Sequence, residues 1–139
     1  MKTVGIQIKS NEAILVVLEK DSTDSIIQTS ESTKFSIGDP DNPGQVKQFR
    51  DQINTAFDSI KPSRIGIMAR NAKAKGVMMP SPLSFKLEGI IQLYEKLDIE
   101  IIWPQTLTAY FKKHPQSMTP KNKYQADALD VAYYLINKN

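Results

Sequence analysis

Val4, Ile6 and Ile8 alternate with Gly5, Gln7 and Lys9, a period of two that predicts a strand over residues 2–9. Ser10-Asn11 reads as a tight turn. Glu12–Leu18 is apolar almost throughout, the pattern of a strand covered on both faces. Residues 25–37 read as a third, more polar strand whose apolar points are Ile26, Ile27, Phe35 and Ile37. The chain therefore opens as a three-stranded antiparallel meander. After the loop Gly38–Gly44, apolar residues Val46, Phe49, Ile53, Phe57 and Ile60 recur at three- and four-residue steps, which predicts an amphipathic helix ended by Pro62. Arg64–Met68 is a short buried strand, and 69–82 is a loop. Leu83, Leu87, Ile90, Ile91, Tyr94 and Leu97 predict a second helix. Ile99–Trp103 is a strand stopped by Pro104, with Trp103 packing in the core. Gln105–Lys113 is a short helix, the segment around His114-Pro115 is a solvent-exposed loop, and Ala126–Ile136 is the last helix.

The resulting order, βββ-α-β-α-β-α-α, predicts an α/β protein with a five-stranded mixed sheet and helices on both faces. The last two strands enter by right-handed helical crossovers. At 139 residues, without a repeat or long linker, the chain is expected to form one domain over 1–139. No apolar run approaches the roughly 18 residues that cross a bilayer, and the N-terminus turns polar too soon for a secretory signal. The expected compartment is the cytoplasm, with no membrane partner.

Composition narrows the chemistry. There is no cysteine, which excludes disulfides, thiolate metal sites and cysteine nucleophiles. The single histidine, His114, rules out a multi-histidine metal site within one chain. Charge is uneven. Residues 1–60 hold six Lys/Arg against nine Asp/Glu, and residues 61–139 hold twelve against six. No acid lies between Asp58 and Glu88, nor between Glu100 and Asp127. Arg70, Lys73, Lys75 and Lys86 are the expected phosphate contacts, because the first three follow a strand end and Lys86 lies just beyond the same loop.

Two acids stand apart. Asp127 and Asp130 are three residues apart on the last helix, about 60° around its axis, so one site can use both. The stretch around them, Gln125-Ala126-Asp127-Ala128-Leu129-Asp130-Val131-Ala132, resembles the final helix of RuvC-type Holliday junction resolvases. Trp103-Pro104, followed by a short helix and a basic segment, is similar to the same branch of the ribonuclease-H-like fold. Asn11–Ile14 and Phe85–Glu88 resemble a family of small bacterial RuvC-like proteins of unknown function.

The resemblance implies the ribonuclease-H-like fold and a site of four carboxylates. One lies on the first strand, one at the end of the fourth, and two on the last helix; together they hold two divalent metals, Mg²⁺ or Mn²⁺, about 4 Å apart. In this chain the first-strand place holds Gln7 and the fourth-strand place Ala69, or Arg70 if the register slips by one. Neither Gln nor Ala supplies negative charge. The expectation is a catalytically degenerate relative that binds nucleic acid or a protein partner. Two alternatives remain: a metal-dependent nuclease in which Glu12 or Glu88 joins Asp127 and Asp130, and a structural homo-oligomeric module such as a homodimer. With a two-residue turn, Glu12 pairs with Lys9 and shares the Gln7 face. Glu88 falls in the first half of the second helix, where the helix dipole favours an acid anyway.

Overall fold

The computed structural model describes residues 1–70 and 81–138. Six strands form one sheet: β1 (Lys2–Lys9), β2 (Glu12–Lys20), β3 (Ile26–Gln28), β4 (Thr33–Ser36), β5 (Arg64–Met68) and β6 (Ile99–Ile102). The helices are α1 (Pro43–Ile60), α2 (Pro82–Gln92), α3 (Pro104–Lys113) and α4 (Ala126–Asn137), the last preceded by a 3₁₀ turn at Lys123–Gln125.

The sheet order is β3-β2-β1-β5-β6, with β4 also paired to β2. β1 and β2 form a hairpin in which Lys9 faces Glu12 and Gln7 faces Ile14, as a two-residue turn requires. Ser10 takes a positive φ of 56° to close it. β5 lies parallel to β1, and β6 parallel to β5.

The single third strand expected over 25–37 is two strands. β3 pairs with the Leu18–Lys20 end of β2, and β4 with its Glu12–Leu15 end. Between them the Ser32 hydroxyl accepts the Val17 N–H at 3.0 Å, doing locally what a strand carbonyl would do. The sheet thus has six strands rather than five. The second helix is also shorter than its apolar spacing suggests and stops at Gln92. Tyr94 and Leu97 lie beyond it and still pack on the core below, with the Tyr94 ring edge-on to Phe57 at 4.9 Å.

Strand alternation sorts the core onto two faces. Val4, Ile6, Ile8, Ile65 and Ile67 pack beneath α1 and α2, against Phe49, Ile53, Phe57, Leu87 and Ile91. Ile14, Val16 and Leu18 point the other way, onto Ala128, Leu129 and Ala132 of α4. Ile102 and Leu107 join Val131 and Leu135 on that second face. α4 lies close against β1. A Cβ on Gly5 would come within 2.0 Å of the Ala128 carbonyl oxygen and 2.4 Å of the Ala132 nitrogen. Thr3, fully buried, donates its hydroxyl to the Ala132 carbonyl at 2.9 Å. Among the described residues no helix is long and apolar enough to cross a membrane.

Candidate functional site

The close seat of α4 on β1 brings the first turn of the helix down onto the carboxyl end of the first strand. Gln7 projects from β1 on the α4 face, and its amide nitrogen donates to the Asp127 carboxylate (Oδ2) at 2.7 Å. A carboxylate only accepts, so the amide must turn its N–H side to it. One helical turn on, Asp130 accepts from the Gln116 amide at 3.0 Å. Gln116 is fastened in turn by accepting the Met118 backbone N–H. Asp127 and Asp130 line one cleft of about 320 Å³ with Met68, Pro104, Leu107, Thr108 and Phe111. Its walls are α3 and the start of α4, and Met68 forms its floor.

Asp130 is half-buried there. Burial pushes its carboxyl above the ordinary aspartate range, the Gln116 hydrogen bond opposes that rise, and the nearby Asp127 adds to it. The start of α4 is held by a second pair of amides. Gln125, only 3% exposed, accepts from Gln28 on β3 at 2.9 Å and from the Asn122 N–H at 3.0 Å. Gln28 accepts the Lys121 N–H at 3.0 Å. Both buried amide oxygens are satisfied, and the path of the chain into α4 is fixed.

The register identifies the residue beside Gln7. Ile6 pairs with Ile67, so the next step places Met68 beside Gln7 on the α4 face. Ala69, expected at that place, is one residue further on. Strand alternation turns it to the opposite face, where it is buried. The floor is a cross-strand row: Lys34 opposite Ile14, Ile14 opposite Gln7, Gln7 beside Met68, and Met68 beside Ile102.

The other acids do not join this pair. Glu12 shares the Gln7 face but is held by Lys34, with Nζ 3.5 Å from its carboxylate. Glu88 is on α2, behind the sheet. Burial raises its carboxyl pKa, and the neighbouring Arg70 charge counters part of the rise. Among the described residues no three Asp, Glu or His side chains gather closely enough to hold a metal ion.

Of the expected phosphate contacts, Arg70 is turned inward. Its Nη1 donates to the Ile8 carbonyl at 2.8 Å across the end of β1, and its Nε is buried without a hydrogen-bond partner among the described residues. Lys86 donates to the Pro40 carbonyl. Lys73 and Lys75 lie outside the described residues. Trp103, expected in the core, is 49% exposed at the head of α3. His114 is exposed as expected, its ring stacked on Tyr110 at 4.5 Å. Sequence reasoning missed Met68, Gln116 and the Gln28–Gln125 pair. The β1–β5 register would have identified Met68, whereas nothing in the local sequence marks Gln116.

The family model described as a protein of unknown function, DUF3010, matches residues 1–135. The chain belongs to the DUF3010 family. No curated protein sequence matches it. Among solved structures, this DUF3010 chain resembles Thermus thermophilus RuvC in complex with a Holliday junction substrate. The TM-score is 0.68 at 12% identity, over 98% of this chain and 96% of that one. It also resembles a fowlpox virus resolvase solved with Holliday junction DNA (TM-score 0.54, 12% identity, 98% and 97% covered). A third likeness is to the yeast mitochondrial Holliday junction resolvase (TM-score 0.53, 11% identity, 97% and 68% covered). At such identities the likeness establishes the fold, which is ribonuclease-H-like.

Proposed function

We propose that this DUF3010 protein is a catalytically degenerate ribonuclease-H-like protein that binds nucleic acid across the carboxyl end of its sheet without hydrolysing it. The observation that carries the reading is the Gln7 amide donating to Asp127 at the place where the fold's nucleases need a first-strand carboxylate. Two divalent ions need hard oxygen ligands and compensating negative charge. Here the neighbour of Gln7 is Met68, a soft thioether, and both remaining aspartates accept hydrogen bonds from amides. Two carboxylates against four positive charges is a poor fit for a two-metal site, so no hydrolytic step is assigned. Binding draws support from the basic residues around the cleft. Lys112 and Lys113 end α3, the cleft wall, and Lys121 and Lys123 precede α4; all four are exposed.

The test is a titration of branched, duplex and single-stranded DNA and RNA at several salt concentrations, in Mg²⁺ or Mn²⁺. Expected are intact nucleic acid and an affinity that falls steeply with salt. The Lys112→Ala plus Lys113→Ala variant should flatten the log–log slope by about 0.7 to 0.9 for every phosphate it no longer neutralises. An absence of binding at low salt removes the proposal. Cleavage that vanishes in Asp127→Asn plus Asp130→Asn replaces it with the metal-dependent nuclease.

A further inference from the structure

Among the described residues, the cleft between α3 and the start of α4 offers a ligand hydrogen-bond acceptors and no free donor. Three of its lining side chains carry hydrogen-bonding groups: Asp127, Asp130 and Thr108. Asp127 accepts the Gln7 amide through Oδ2, and Asp130 accepts the Gln116 amide through Oδ1. The second oxygen of each carboxylate has no hydrogen-bond partner among the described residues. The Thr108 hydroxyl donates to the Pro104 carbonyl at 3.1 Å, so its proton is already committed. The rest of the lining, Met68, Pro104, Leu107 and Phe111, is apolar.

Size and charge narrow the guest. A cleft of about 320 Å³ is at the small end of ligand sites, with room for one ring system and not for a helix. Two carboxylates repel phosphate, so the phosphates of a bound nucleic acid must lie outside, toward exposed Lys112 and Lys113 at the end of α3. What enters must bring an apolar face for Met68, Leu107 and Phe111, and N–H donors for the two free oxygens. A nucleobase brings both. Thymine and uracil have one ring N–H, set between two carbonyl oxygens that carboxylates repel. In adenine and cytosine the amino group adjoins a ring nitrogen that only accepts. Guanine has two adjacent donors, N1–H and the 2-amino group. Both belong to its Watson–Crick edge, so the base must be unpaired to offer them.

Building on the nucleic-acid binding inferred above, we propose that the cleft receives a single unpaired guanine of a bound strand. Its N1–H and 2-amino group donate to Asp127 and Asp130, and its ring lies against Met68, Leu107 and Phe111. The retained acid pair then reads a base instead of holding metal.

The full chain is titrated, by fluorescence anisotropy, with short labelled thymidine strands carrying one central guanine, inosine, cytosine or adenine, and with an all-thymidine strand. Expected is a preference of roughly tenfold for the guanine strand over the all-thymidine strand. Most of it should be lost with inosine, which lacks the 2-amino group. The Asp127→Ala plus Asp130→Ala variant should bind the all-thymidine strand no more weakly than the wild type, because less charge repels phosphate, and should show no preference. Thr108→Arg, which brings a guanidinium to the cleft wall beside the carboxylates, should lose the preference with both acids in place. The ratio of affinities within one variant is independent of its overall charge, and circular dichroism checks that each variant is folded. Equal affinity for all five strands overturns the proposal while leaving nucleic-acid binding intact. So does a guanine preference that survives the double alanine variant. Free guanosine bound as tightly as the guanine strand overturns it in favour of a nucleoside site. Displacement of the strand by an acetylated arginine amide, and not by guanosine, overturns it in favour of a protein side chain. If no strand of any kind binds, both readings fall together.

Discussion

Asp130 sits half-buried in a cleft where its ionised form is disfavoured by burial and by Asp127, and its one relief is the Gln116 amide. The consequence for stability has a definite sign. A carboxyl whose pKa is raised in the folded chain holds its proton more tightly there than when unfolded. Stability therefore falls as pH rises from the ordinary value of 3.8 through the raised folded value, and the loss is constant above it. Asp130→Asn keeps an oxygen for Gln116 and removes the charge. Thermal melts over about pH 4 to 8 should show that the variant lacks this fall and melts higher at neutral pH. Melting curves that track the wild type throughout would mean that burial does not set the behaviour of Asp130. At this scale the sequence was partly legible. The three-residue spacing of Asp127 and Asp130 was enough to expect one shared face. The identity of their partners was not, because Gln7 and Gln116 lie 120 and 14 residues away in the chain.

The elements that hold these residues were easier to read. Period-two alternation marked β1, the continuous apolar run marked β2, and the three- and four-residue steps marked α1. Two errors have physical causes. A hydroxyl replaced a backbone partner at Ser32 and split the third strand, and an apolar spacing outlasted the helix at Tyr94 and Leu97 because non-helical chain can also pack. The misplacement at Ala69 arose because strand register between β1 and β5 is a tertiary property, and a shift of one residue reverses the face. Gly5 ties strand and helix together. Gly5→Ala puts a methyl group into the backbone of α4, so the helix must lift from β1 and separate Gln7 from Asp127. Urea denaturation should register a loss of about 3 kcal/mol or more. A change within a few tenths of a kcal/mol would mean that α4 is not pinned there.

Across the whole molecule, a ribonuclease-H-like sheet carries a cleft at its carboxyl end whose two acids are each engaged by an amide. The acid-poor second half of the chain supplies exposed lysines at the end of α3 and before α4, while nine of the fifteen acids stand in the first 60 residues. This separation of charge was visible in the sequence. The inward turn of Arg70 was not, because it depends on the Ile8 carbonyl at the end of another strand. The central claim is that amides now occupy the acids where the fold's nucleases hold metal. Isothermal titration of Mn²⁺ into the wild type and into a Gln7→Asp plus Met68→Glu variant tests it most directly. The account predicts no sub-millimolar binding by the wild type and a gain of binding by the variant, which regains two carboxylates on the same row. Two Mn²⁺ ions bound tightly by the wild type, and lost in Asp127→Asn plus Asp130→Asn, would contradict it.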